Sequence, residues 1–259
     1  MYYLEMQNLI FYGEIIAIDG KTLCNSMDLE NSSSAIHMVS AFATQARLVL
    51  AQQKVDEKSN KITAIPKLLD LLDLNGHIVT IDAIGTQKAI AKKIVEKGGD
   101  YVLALKGNQG TLNEDVRLFL ETELKKNSSK IIEDHFEETD KGYGRLEIRK
   151  CFVSSKIDWL NQKEQWVGLK TIAMAARNHW LIKNGLHWTL DVVFNEDNAR
   201  VRKDNAGENM AIIRHVTLNM LNNAKKSFKN IALKALRKNA GWSNETLDFI
   251  LKQNFKYVE

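Results

Sequence analysis

The sequence predicts an α/β fold, a mixed β-sheet with helices on both faces. Two short runs rich in β-branched residues support this prediction, residues 15–19 and 77–82, and each ends in an aspartate. Runs of this length and composition are typical of strands buried on both faces of a sheet. Asp19 and Asp82 would then lie at or near the exposed ends of neighbouring strands, where two carboxylates could hold a divalent metal.

The segments around these strands follow an order that defines the sheet. Residues 35–44 and 47–55 predict a hairpin, and the run 63–74 has helical spacing, with Pro66 in its first turn and Asn75-Gly76 after it. A helix, a strand and a second helix follow, predicted at 86–97, 100–105 and 111–125. The order strand, hairpin, helix, strand, helix, strand, helix is that of the ribonuclease-H-like fold.

The second half of the chain changes character. Residues 131–155 alternate charged and apolar residues around two glycines, which predicts an inserted β-hairpin, and 167–173 predicts a further strand. Helices are predicted after that, at 180–194, 208–223, 228–239 and 244–253. We therefore expect a short N-terminal remnant (1–14), a core (15–223) with a β insertion (131–175), and a basic helical tail (224–259).

Composition excludes several classes of protein. The two cysteines, Cys24 and Cys151, have no CxxC spacing, which argues against a disulfide framework or a thiolate zinc site and favours a reducing cytosol. His179 and His187 are too few for a zinc site. No apolar run reaches the ~18 residues of a membrane span, and the N-terminus lacks the pattern of a secretory signal, so a cytoplasmic protein without membrane contact is expected.

Positive charge is concentrated at the C-terminal end. From residue 200 onward there are 12 Lys and Arg against 5 Asp and Glu, whereas the whole chain carries only +4. This asymmetry indicates a polyanion partner. A solvated helical tail explains the charge equally well.

Several sequence blocks occur together in order, and their combination is specific. They include residues 18–22 (Ile-Asp-Gly-Lys-Thr), 80–83 (Thr-Ile-Asp-Ala), 105–109, 141–147 and the long block 179–197. These blocks resemble the DDE-type insertion-sequence transposases, in the branch that includes the H-repeat-associated proteins. The resemblance spans residues 14 to about 223.

The resemblance implies a catalytic core that cuts and joins DNA at transposon ends and at the target, using Mg²⁺ or Mn²⁺. The two family aspartates correspond to Asp19 and Asp82, and the position of the third acid is Lys183. A lysine there removes a ligand and places a positive charge beside the cations. Asp191 and Glu196 are the nearest acids downstream. Asp191 would lie ~12 Å further along a regular helix, too far to replace it.

Two readings of function follow, and the sequence leaves both open. One is a metal-dependent DNA transposase, with DNA transposition by phosphodiester cleavage and strand transfer. The other is a truncated, degenerate copy that binds DNA without catalysis. A ribonuclease-H-like nuclease outside transposition is a third, less supported by the blocks. Homo-oligomerisation stays open, and association with the bacterial nucleoid is expected. The predicted DNA contacts are Lys21, Lys106, Gln109, Arg200, Arg202 and Lys203.

Overall fold

The computed structural model describes residues 13–26, 35–55, 60–126, 134–142, 145–175, 182–201 and 203–255. A five-stranded sheet lies at its centre, in the order β3-β2-β1-β4-β5. Its strands are β1 Ile15–Leu23, β2 Ile36–Ala43, β3 Leu48–Lys54, β4 Ile78–Ile81 and β5 Asp100–Leu103. Strand β1 pairs antiparallel with β2 and parallel with β4, so the predicted mixed sheet of the ribonuclease-H-like fold is confirmed.

Seven α-helices lie in the described part of the chain. They are α1 Lys61–Asp70, α2 Lys88–Glu96, α3 Thr111–Lys125, α4 Trp188–Phe194, α5 Ala206–Lys225, α6 Leu233–Trp242 and α7 Asn244–Asn254. A π-helical segment, Lys183–His187, runs directly into α4. Short 3₁₀ turns occur at Cys24–Ser26, Ala83–Gly85, Gly107–Gln109, Lys163–Gln165 and Glu196–Asn198. None of the described helices is long and apolar enough to cross a membrane.

Alternation along β1 divides the core into two layers. Ile16 and Ile18 point to the face covered by α1 and α2, where they pack in the largest buried apolar cluster. Ala17 points to the opposite face, which is covered by Leu186, Leu190 and α5. Because side chains alternate along a strand, Asp19 and Lys21 share the face of Ala17.

A second sheet confirms the predicted β insertion. Strands β6 Asp134–Gly142, β7 Arg145–Ser154 and β8 Ile172–Ala175 pair antiparallel in the order β6-β7-β8. The buried residues of α3 pack against Ile157, Leu160 and Trp166, which lie between β7 and β8. The division into a core, an insertion and a basic tail stays a prediction.

Three sequence expectations about these elements are wrong. Strand β1 continues four residues beyond Asp19, because β2 pairs with it as far as Leu23. Helix α1 begins at Lys61, where the Asn60 side chain accepts a hydrogen bond from the amide of Ile62, so Pro66 lies inside the helix. The helix predicted at 228–239 begins only at Leu233, after a turn.

Asn219 of α5 provides the most direct polar link between this helix and the sheet. Its Oδ1 accepts from the Val49 amide at 2.9 Å and its Nδ2 donates to the Val49 carbonyl at 2.8 Å. Asn219→Ala leaves both buried backbone groups unsatisfied and should lower the free energy of unfolding by about 2 kcal/mol. Val216→Ala, on the exposed side of the same helix, should change it by less than about 0.5 kcal/mol. Equal effects in urea unfolding would contradict this role.

Candidate functional site

The two aspartates meet where β4 ends beside β1. Ile18 lies opposite Ile81 in the parallel register, so Asp19 and Asp82, the next residues, stand side by side. Asp82 leaves the strand and caps the turn Ala83–Gly85, and its Oδ1 accepts from the Gly85 amide at 3.3 Å. Asp19 is only 4% exposed, because β1 continues past it. The expected proximity of the aspartates is therefore present, but Asp19 does not lie at an exposed strand end.

Lys61 lies between the two carboxylates. Its Nζ donates to Asp19 Oδ1 at 3.1 Å and lies 3.6 Å from Asp82 Oδ2. Its position follows from its place as the first residue of α1, beside Asp19 and Gly20 of β1. A Cβ at Gly20 would lie 2.5 Å from Lys61 Cε, so a larger residue there would shift the end of the lysine side chain. No sequence pattern singled out this lysine.

The charge of Lys61 determines the ionisation of Asp19. Burial alone raises the pKa of Asp19, but the charge and hydrogen bond of Lys61, with the Gly20 amide, outweigh it. The pKa of Asp19 therefore lies below its ordinary value of 3.8. The carboxylate stays ionised at neutral pH, held by an ammonium group.

Lys183 also faces Asp19. It begins the π-helical segment, and its Nζ lies 3.9 Å from Asp19 Oδ2. The side chain is about half exposed, so this contact is looser than that of Lys61. The position that the sequence pairs with the missing third acid does lie at the aspartates, and it brings a positive charge to them.

Lys21 forms a second cluster on the same face of β1. Its Nζ donates hydrogen bonds to Asp191 and to Glu196 Oε2 at 3.0 Å, and it lies 3.3 Å from Asp197 Oδ1. Arg214 Nη1 lies 3.5 Å from the other oxygen of Glu196. Burial lowers the pKa of Lys21, but the hydrogen bonds and negative charges of Asp191 and Glu196 raise it by more. The pKa of Lys21 therefore lies above its ordinary value of 10.5.

The Lys21 cluster determines the positions of the acidic residues that follow Lys183 in the sequence. Asp191 and Glu196 contact Lys21, two residues along β1 from Asp19. They therefore do not complete the aspartate pair, as the helical distance predicted. The Lys21 side chain is only 13% exposed, and its predicted DNA contact stays a prediction.

Buried His215 and partly buried His187 line a small cavity beside the Lys21 cluster. The cavity has a volume of about 10 Å³, close to that of one water molecule, and is lined by Lys21, Leu23, Met38, Ser40, His187, Leu190, Glu196, Ala211 and His215. Burial lowers the pKa of His187 to about 4 and that of His215 to about 3. Both rings are neutral at pH 7. From the sequence, His187 was considered as a zinc ligand, and no sequence pattern singled out His215.

The other predicted contacts lie apart. Lys106, Arg200 and Lys203 are exposed. Gln109 donates to the Thr86 carbonyl, and its neighbour Asn108 donates to the Ala83 carbonyl, so both fasten the loop after Asp82. Arg202 lies outside the described residues, as does His179.

The donor set does not fit the divalent metal centre that the resemblance implies. Mg²⁺ and Mn²⁺ require several oxygen ligands with net negative charge. Here two carboxylates face two ammonium groups, and no group of three or more His, Cys, Asp or Glu among the described residues is placed to hold a metal.

Sequence comparison gives the class of protein. The family described as Transposase DDE domain matches residues 13–220, most of the chain. The chain belongs to this family, and the predicted family is confirmed.

Individual relatives place it more narrowly. YbfL and the "H repeat-associated putative transposase YhhI", both of Escherichia coli K12, are each 41% identical over 263 residues. Each alignment covers 88% of this chain and 68% of the relative. The branch of the family that includes the H-repeat-associated proteins is thus confirmed. Among solved structures, the piggyBac transposase synaptic complex with hairpin DNA covers all of this chain and 58% of that chain, at 13% identity and a TM-score of 0.46.

The Lys21 cluster should contribute strongly to stability. Lys21→Met leaves buried Glu196 without its closest cation, and removing one partner of a buried pair costs about 3 kcal/mol. Lys92→Met, which breaks an exposed pair with Glu96, should cost at most about 0.5 kcal/mol. Chemical denaturation of both variants measures the difference. A loss for Lys21→Met as small as that for Lys92→Met would show that the cluster is not a stabilising one.

His215 should make stability fall in acid. Its folded pKa of about 3 lies below the ordinary 6.5, so its contribution is present above pH 6.5 and is lost as pH falls towards 3. Between pH 5.5 and 4.5 the unfolding free energy of the wild type should fall more steeply than that of His215→Gln, by about 1.4 kcal/mol per pH unit. Ser40→Ala, which alters the same cavity without a titrating group, should keep the wild-type slope. Parallel profiles for wild type and His215→Gln would contradict the assignment.

Proposed function

We propose that this chain binds DNA as a member of the transposase family but does not catalyse metal-dependent strand transfer. The observation that carries the proposal is the pair of ammonium groups at the aspartates, Lys61 at 3.1 Å and Lys183 at 3.9 Å from Asp19. On this proposal the core and the basic tail expected from the sequence together form a DNA-binding protein. The protein would lie in the cytoplasm, in association with the nucleoid.

Electrostatics explains why these lysines oppose a metal. Two carboxylates and two ammonium groups have no net formal charge, so the site offers a cation little attraction. A divalent ion ~5 Å from one ammonium is repelled by ~7 kcal/mol at an effective dielectric constant of ~20. Binding would first require Lys61 to leave two carboxylates, one of which is almost fully buried.

Among the described residues, the acids that follow Lys183 are already paired elsewhere. Lys21 contacts Asp191, Glu196 and Asp197, and Arg214 adds a second cation to Glu196. Moving one of them to Asp19 would break its ion pair with Lys21, whose side chain is largely buried. Phosphoryl transfer in such a site would lose the stabilisation that metals give to both oxygens of the reaction.

The proposal of DNA binding rests on the positive charge of the C-terminal part of the chain and on its membership of the transposase family. The excess of Lys and Arg after residue 200 supplies phosphate contacts that need no catalytic metal. Exposed Lys106, Arg200 and Lys203 remain candidates for these contacts. Such contacts give affinity that falls steeply with salt and carries little sequence information.

An active, metal-dependent transposase is the second candidate. The observation in its favour is the adjacency of Asp19 and Asp82, which the fold produces in the arrangement that the family resemblance requires. It requires Lys61 and Lys183 to withdraw when Mg²⁺ or Mn²⁺ and the transposon end bind. Magnesium binding, DNA recombination and binding of the target DNA would then be properties of this chain as well.

Metal and DNA titrations separate the two candidates. We expect the wild type to bind transposon-end DNA with a strong salt dependence, to leave it uncut with Mg²⁺ or Mn²⁺, and to bind no Mn²⁺ at ~1 mM by electron paramagnetic resonance. Lys61→Met with Lys183→Glu removes both positive charges and adds a carboxylate, so Mn²⁺ affinity should rise at least ~10-fold.

Two controls keep this experiment specific. Lys67→Glu with Lys92→Met makes the same charge change on exposed helix surfaces and should not create Mn²⁺ binding. Asp19→Asn in the Lys61→Met, Lys183→Glu background should abolish the gained affinity. Cleavage by the wild type, or its binding of Mn²⁺ at micromolar concentration, would overturn the proposal in favour of the active enzyme.

A further inference from the structure

Only one face of helix α6 packs against the described part of the protein. Leu236 is fully buried and packs with Leu221, Ala224 and Ile250 of the neighbouring helices. The guanidinium of Arg237 lies 5.4 Å from the ring centroid of Phe194. These contacts fix the rotation of the helix, so its other face is held towards solvent.

The outward face carries two lysines and a tryptophan in a line. Lys234, Lys238 and Trp242 are all exposed and recur every four residues, so they follow one stripe ~12 Å long. Trp242 is 80% exposed, the largest value among the large apolar side chains that the structure describes. Beside it, no atom lies within 4 Å of where a Cβ of Gly241 would stand, which leaves the approach to the ring open.

Charge identifies what this stripe can bind. Helix α6 contains no acidic residue, and among the described residues no carboxylate pairs with Lys234 or Lys238. By contrast, exposed lysines of other helices do form pairs, as Lys252 does with Asp248 at 2.6 Å. Two available ammonium groups next to an aromatic face suit a strand of phosphates with stackable bases.

The exposed ring favours an unpaired base over a duplex or a protein. A paired base inside a duplex offers no free face, whereas a base in a single strand can stack on tryptophan. Protein interfaces are depleted of lysine, so the stripe does not resemble the centre of one. Within the described part of the chain, the indole of Trp242 stays 80% exposed, so its packing does not explain its position.

We propose that the stripe of Lys234, Lys238 and Trp242 is a binding site for single-stranded DNA, with phosphates at the lysines and an unpaired base stacked on Trp242. This inference rests on the proposed DNA binding of the chain and adds where an unpaired segment binds. It predicts that the protein prefers DNA with an overhang or frayed end to the same DNA fully paired.

Fluorescence anisotropy with three labelled probes tests the site: a ~16-nucleotide single strand, a blunt duplex and the duplex with a single-stranded overhang. Trp242→Ala should weaken single-strand and overhang binding ~10-fold, since stacking on one aromatic is worth roughly 5- to 150-fold per base. Blunt-duplex binding should stay within ~2-fold. Lys234→Ala and Lys238→Ala should each lower the salt slope for the single strand by about 0.7.

Matched variants exclude general effects. Trp188→Ala removes another exposed tryptophan, 61% exposed on α4, and Lys92→Ala another exposed lysine, and both should leave the preference for overhangs unchanged. Thermal melting confirms that each variant is folded. An intrinsic tryptophan signal quenched by the single strand in the wild type, but not in Trp242→Phe, reports stacking directly.

The outcomes separate this inference from the proposed function. If the wild type binds none of the probes, DNA binding itself fails and the site falls with it. If it binds all three and Trp242→Ala changes nothing, the site alone is refuted. Concentration-dependent dimerisation that is lost in Trp242→Ala, with unchanged DNA affinity, would also overturn it and assign the stripe to a second copy of the chain.

Discussion

The parallel register of β1 against β4 is the constraint on which the site depends. It sets Ile18 opposite Ile81 and thereby places the two following aspartates side by side. The antiparallel partner β2 then carries β1 four residues further, so Asp19 is buried and Lys21 is presented on the same face. The helix that begins with the π-helical segment covers that face and adds Lys183, His187 and Asp191 to it.

Two charge clusters result, and each contains some of the acidic residues of the site. At the aspartates, lysines from α1 and from the π-helical segment supply positive charge. Two residues along the strand, one buried lysine collects three carboxylates. The carboxylates of Asp19 and Asp82 already have cationic partners within the protein, and that is the physical reason the pair does not suit a divalent cation.

The sequence predicted the strands well because buried β-branched runs leave a clear pattern, as residues 15–19 and 77–82 show. It also predicted Asp19, Asp82 and Lys183 as neighbours, through the family resemblance. It missed Lys61 because a lysine that opens a helix looks like any solvated lysine in sequence, and only the fold brings it to Asp19 and Asp82. It assigned Lys21 to phosphate because the carboxylates that hold it lie about 170 residues away along the chain. The predicted start of α1 was too late in the chain because Pro66 was taken to lie in the first turn. Asn60 caps the helix further upstream.

Belonging to a transposase family does not by itself determine what this chain does, because fold and chemistry are separable. In this chain Asp19 and Asp82 lie side by side, and lysine ammonium groups face them. The basic C-terminal helices, by contrast, need no metal to contact DNA, and their exposed tryptophan gives them a chemistry that phosphate contacts alone lack.

The most direct test of the central claim is a crystal structure of the wild-type protein soaked in Mn²⁺ at neutral pH, with anomalous data. We expect no anomalous peak between Asp19 and Asp82, with the Lys61 ammonium in contact with both carboxylates. A manganese peak bridging the two aspartates, with Lys61 displaced, would contradict it.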